Sequence, residues 1–295
     1  MSAQELLLTT LNQRYEKYRA ERKRCKDEFS EEAVHDLRIA TRRLLALIEL
    51  LRVITLAKHP VGAKPRLQKL RRVFKDQLNS LNDLRDTQVM SAEISEMLES
   101  LPELIPLQKF LQKREKRLLK TAEREVGAIK ISGISHQVEK LRASLAEPAV
   151  NQDLTARLFL AVDDAYLKVT LRMRRVDPAQ PASIHRVRIA FKEFRYMLEI
   201  IHSLLPGFSE VLLKNMNNYQ TAMGEIQDVE VMLHTLEDFA AKHKAYDPQP
   251  VQHFYEQHHA ELINAYIENM NEFANFWRES PDKPFPWESY EKDQP

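Results

Sequence analysis

Glycine is scarce in this chain: 5 residues in 295, against an abundance of Leu, Glu, Lys, Arg and Ala. That balance predicts helix throughout, and no segment shows the two-residue alternation of a strand. The single cysteine, Cys25, excludes an internal disulfide and the cysteine-rich zinc motifs, and makes a reducing cytoplasm the natural compartment. No stretch approaches about 18 uncharged apolar residues, and the N-terminal segment lacks an apolar core like that of a signal peptide. Neither secretion nor a membrane span is expected.

What is present is charge, distributed unevenly. The net charge of +1 conceals 29 Lys and Arg against 20 Asp and Glu in residues 1–145, and 15 against 23 in residues 146–295. Most bases of the second part precede Lys214, so the last third is acidic. A nonspecific nucleic-acid binder carries a basic excess over a whole domain. Any anion site here must therefore be local.

One stretch occurs twice. Val34-His35-Asp36-Leu37-Arg38-Ile39-Ala40-Thr41-Arg42-Arg43 returns 150 positions later as Ile184-His185-Arg186-Val187-Arg188-Ile189-Ala190-Phe191-Lys192-Glu193. Both copies place a His, a base three residues on and a base seven residues on, and both run on to Glu49 or Glu199. On a helix these three positions fall within roughly 60° of one another. Leu37, Ala40, Thr41, Leu44, Ile48 and Leu51 fall on the opposite side, as do Val187, Ala190, Phe191, Phe194, Leu198 and Ile201. A second echo, at an offset of 142, matches Leu70–Asp86 with Leu212–Asp228.

Periodicity and breakers predict helices over about 2–26, 30–58 (capped by Ser30, stopped by Pro60 and Gly62), 65–99 and from Leu107 onward, with a bend near Gly127 and Gly133 before Ala146. Glu147-Pro148 is the best boundary. Four helices follow over about 152–176, up to Leu205 for the His185 helix, 209–244 and 247–278, then a proline-rich tail. The expected architecture is all-α: two pseudo-symmetric four-helix bundles, 1–147 and 148–280, in one domain of 1–280, with a tail at 281–295.

Arg offers phosphate a forked pair of donors, Lys a point charge and imidazolium a single donor. His35 to Arg42 spans about 10 Å of helix, room for several consecutive phosphates. A polar stripe opposite an apolar one is what any surface helix shows. The same residue types at the same turns, twice, are more than solvation requires.

These residues resemble the CHAD family, the conserved-histidine α-helical domain. Lys192-Glu193-Phe194-Arg195-Tyr196-Met197-Leu198-Glu199 is especially similar to its second motif, and Asp86 and Asp228 match too. The resemblance reaches about residue 278. It implies two four-helix bundles around a central basic cavity and binding of inorganic polyphosphate, often at polyphosphate granules. Carried over by position, the binding residues are His35, Arg38, Arg42 and Arg43 in the first half, and His185, Arg188, Lys192 and Arg195 with Tyr196 in the second. Arg72, Lys75, Arg85 and Lys214 are further wall candidates. Leu45 replaces the Arg found at position 195, Glu193 stands at the position of Arg43, and Asn82 replaces a Gly present at 224. The Glu-x-Glu-x-Lys signature of the tunnel domain to which some family members are fused is absent from the sequence.

Other constellations are weaker. His253, His258 and His259 with Glu256 and Glu261 form no metalloprotease-like spacing, so no metal or cofactor is expected. Asp36 is not repeated, which leaves a catalytic Asp–His pair without support, and Asp86 and Asp228 are expected in ion pairs with neighbours such as Arg85. The expected function is non-catalytic binding of polyphosphate, with no membrane association. The alternatives are a nucleic-acid or protein adaptor, against which the acidic second half argues for nucleic acid, and a metal-assisted phosphohydrolase. The acidic last helices offer a surface to a protein partner.

Overall fold

A computed structural model describes residues 1–55, 63–147 and 153–290. The described residues are predominantly helical, with no strand among them. In order they form α1 (Ala3–Glu28), α2 (Glu31–Thr55), α3 (Ala63–Ser80), α4 (Asn82–Met97), α5 (Ile105–Ala128), α6 (Ile131–Leu145), α7 (Leu154–Met173), α8 (Ala182–Ile201), α9 (Glu210–Lys242), α10 (Gln249–Asn269) and α11 (Pro286–Tyr290). Short 3-10 turns precede α5 and follow α8 and α10. The expected stop at Pro60 and Gly62, and the boundary at Pro148, lie outside the described residues.

Local chemistry sets the helix starts. Ser2 and Glu5 cap α1 reciprocally, and the Ser30 hydroxyl accepts the Ala33 amide at 3.1 Å at the start of α2. Before α8, the Ser183 hydroxyl ties to both the amide and the carbonyl of Asp177. The bend after α5 falls between Ala128 and Ile131, and Gly133 lies inside α6.

Two boundaries differ from the periodicity. The helix expected over 65–99 is two, α3 and α4, separated at Leu81. The Leu78 carbonyl there accepts both the Leu81 amide at 3.3 Å and the Arg38 guanidinium at 3.2 Å, so a stripe residue from α2 fills acceptor capacity at the break. The apolar phase runs through Leu78, Leu81 and Leu84 without interruption, which is why it hides the break. The proline-rich tail, in turn, is part of the core as far as it is described: Phe285 and Trp287 are buried and stacked at 4.7 Å, both against Trp277.

All twelve residues assigned to the apolar sides of α2 and α8 are buried. These helices pack on one another, α2 also on α7, and α1 on both α7 and α8. The main cluster of buried side chains draws on residues from both sides of position 147, centred on Leu44, Leu47 and Ile48 of α2 and Phe191 and Phe194 of α8. A second cluster joins Ile94, Leu107 and Leu111 to Met232, Leu236 and Tyr255. Each large apolar side chain buried this way contributes about 1.5–3 kcal/mol of transfer free energy. Both clusters span the two halves, so the halves cannot slide past one another without exposing core.

Candidate functional site

Burying one face of α2 and of α8 fixes where the other faces point. Arg38 and Arg42 of α2 and His185, Arg188 and Lys192 of α8 line a single cavity of about 670 Å³. Arg71, Lys75, Leu78 and Asn79 of α3, Asn82 and Asp86 of α4, and Gln227, Asp228 and Val231 of α9 complete much of its wall. Seven Lys and Arg face four carboxylates (Glu49, Asp86, Glu193 and Asp228), with Leu45, Ala46, Ile189 and Met197 between them. The two stripes open onto the same space.

Burial first, and neighbouring charges second, shift the titration of these groups. Burial, then the positive charges of Arg42, Arg188, Arg38 and Arg195, pull the Lys192 ammonium down to about 6. Burial followed by Arg42 lowers Arg38 to about 10. Both histidines titrate below their ordinary range, His35 through burial and Arg85, His185 through burial and Arg188. Burial raises the Asp86 and Asp228 carboxyls, opposed chiefly by Arg38 and Arg188 respectively, and the Asp86 charge raises Asp228 further. The free site is thus a place where positive charge is held at a cost that a bound anion would relieve.

Arg38 is 6 % exposed and tethered to the Leu78 carbonyl. Nε of Arg188 and Nδ1 of His185 are buried without a hydrogen-bond partner. A Cβ added at Gly224 would lie 3.5 Å from the Arg188 guanidinium, so the bare α9 backbone gives that side chain a bed. At the matched position 82 the chain has instead broken between α3 and α4.

The remaining sequence candidates divide. His35 is half-buried beside Arg38, Arg42 and Arg85 but is not in the cavity wall, and its neighbour Asp36 is held by Arg24 at 2.8 Å. Tyr196 lines the cavity, whereas Arg195 does not. Arg195 is 7 % exposed, paired with Glu199 at 2.5 Å, bonded to Gln220 at 3.0 Å and 4.6 Å from the Tyr196 ring. Arg43 is exposed outside the wall, its carbonyl taken by Arg14 at 2.5 Å. Arg85 pairs with Glu31 at 3.1 Å rather than with Asp86, which faces the cavity. Lys75 is in the wall, Arg72 is not, and Lys214 is exposed and apart from it.

Arg52 and Arg71 are wall residues outside the set expected from the sequence; Glu49 pairs with both. Helical phase points to Arg71, since 71, 75 and 78 share a face at four- and three-residue steps while Arg72 is turned about 100° away. Among the described residues no group of three or more His, Cys, Asp or Glu is placed to hold a metal ion. His258 of the α10 group pairs loosely with Glu261 at 4.0 Å. No helix among the described residues is long and apolar enough to cross a membrane.

The CHAD domain family model matches residues 9–237. The crystal structure of the CHAD domain from the plant Ricinus communis superposes with a TM-score of 0.64 at 19 % identity, covering 94 % of this chain and 90 % of that one. That likeness shows the fold. Curated proteins give no match to this sequence.

Proposed function

The chain belongs to the CHAD domain family, and on that premise we propose that it binds inorganic polyphosphate, without turning it over, in the cavity between α2 and α8. The observation that carries the reading is the shared wall: Arg38 and Arg42 from one copy of the repeat, His185, Arg188 and Lys192 from the other. A linear polyanion laid between them meets forked and point donors on both sides and offsets the burial and the repulsion that lower Lys192. The core binding set is these five residues with Lys75 and Tyr196, to which Arg52 and Arg71 are added. His35 and Arg85 act from the flank through their charge, and Arg195 acts by holding Tyr196 and Glu199. Association with polyphosphate granules, and a protein partner on the acidic α9–α10 surface, extend this reading to the cell.

Titration with chain-length-defined polyphosphate, wild type beside Arg42→Ala/Arg188→Ala, tests it. Wild type should bind long chains more tightly than short ones and prefer them to DNA or RNA in competition, and the variant should lose at least tenfold. Equal affinity in the two proteins would remove the cavity as the site. Equal preference for nucleic acid would favour an adaptor, and phosphate release dependent on His185 and a divalent ion would favour a hydrolase.

A further inference from the structure

A second cavity, of about 610 Å³, lies on the outward side of α3, lined by Arg52, Pro65, Gln68, Lys69, Arg71, Arg72, Lys75 and Asp76. It shares Arg52, Arg71 and Lys75 with the cavity between α2 and α8. We propose that this outer cavity is a second polyphosphate subsite, through which a long chain leaves the central cavity along α3, past Arg52 at the end of α2. The inference rests on the function proposed above and adds to it a path and a direction.

Three observations carry it. Five of the eight lining residues are Lys or Arg, against one carboxylate, Asp76. Lys69, Arg72 and Lys75 form no ion pair among the described residues, so their charge is not neutralised from within. The three shared side chains make the passage continuous: Glu49 pairs with Arg52 and Arg71, holding both at the junction, and Lys75 reaches both spaces. From Lys69 to Asn79, the last α3 residue in the central wall, the helix rises about 15 Å. A chain following it meets a cation at nearly every turn.

The second half repeats little of this basic row. At the 142-residue offset Lys69, Arg71 and Lys75 become Val211, Leu213 and Asn217, leaving Lys214 opposite Arg72. The cavity beside the start of α9 is lined by Leu212, Asn215, Asn218, Glu272, Asn275 and Phe276, with no cation among them. The repeat that builds the central site therefore does not extend to the outer cations at 69, 71 and 75, and of the four outer bases on α3 only Arg72 keeps a basic match, in Lys214.

The test is affinity and its salt dependence for tripolyphosphate and for long-chain polyphosphate, in wild type, Lys69→Gln/Arg72→Gln and the charge-matched α5 variant Lys109→Gln/Lys116→Gln. The α3 variant should bind tripolyphosphate as wild type does, lose roughly tenfold for the long chain, and show a log–log salt slope shallower by about 1.4, at about 0.7 per contact for a single-stranded polyanion. The α5 variant should match wild type on both ligands. An unchanged long-chain slope in the α3 variant, an equal loss on both ligands, or an equal loss in the α5 variant each overturns the outer subsite while leaving the central one standing. Failure of wild type to bind either ligand overturns both.

Discussion

Lys192 is the residue whose chemistry most depends on what fills the cavity. Its ammonium, titrating at about 6 in the free protein, is largely neutral at neutral pH, and a bound polyanion returns it toward the ordinary lysine range. Binding then takes up a proton wherever the pH lies between the free and bound values, so affinity should rise as pH falls toward about 6. Calorimetric titration in buffers of different ionisation enthalpy should detect that uptake, and Lys192→Arg, which stays charged, should remove its share; identical uptake in both proteins would assign the proton elsewhere. His35 and His185 are lowered too and add uptake in the same direction. Arg195 shows the limit of reading sites by motif. It stands at the strongest point of the family likeness, yet its guanidinium is closed by Glu199 and Gln220. Arg195→Ala should therefore cost about 3 kcal/mol of stability, as breaking a buried pair does, and lower the thermal midpoint well beyond what Arg42→Ala does. Spacing gave the helix face of Arg195, but only packing decides whether a buried base has an internal partner.

At the scale of elements, the apolar faces of α2 and α8 were legible because a helix buries residues at three- and four-residue steps, and every residue so assigned is buried. The break at Leu81 was not, since it preserves that phase and is settled by a hydrogen bond from Arg38, forty positions away in the chain. Its match in the second half is an unbroken α9 with Gly224 at the corresponding place. A Cβ there would make only ordinary contact with Arg188, at 3.5 Å. Gly224→Ala should accordingly raise stability by about 0.5–1 kcal/mol, as in any helix interior that can take the methyl; a lower unfolding midpoint would show that Arg188 cannot give way. The tail was legible only in part. Prolines 281, 284 and 286 forbid a long helix, but they do not prevent Phe285 and Trp287 from reaching the core against Trp277. Trp287→Ala should cost about 3 kcal/mol in chemical denaturation, and no measurable loss would mean the segment does not pack in solution.

At the scale of the molecule, a chain with a net charge of +1 concentrates positive charge by folding rather than by composition. Two stripes 150 residues apart meet because the core runs through both halves, so stability and site are built from the same two helices. That the stripes face each other could not be read from the repeat, which fixes what each helix carries and not where it points. The position of the outer cavity was equally hidden, because it depends on residues of α2 and α3 brought together by packing. The joint wall is the claim on which the rest depends, and a double-mutant cycle measures it: long-chain polyphosphate affinity for wild type, Arg42→Ala, Lys192→Ala and the double variant, at one salt concentration and pH. Each single change should weaken binding several-fold, and the double should differ from the product of the two, because one chain touches both residues. Loss from one wall alone, or two independent losses that multiply without coupling, would contradict a single site shared by α2 and α8.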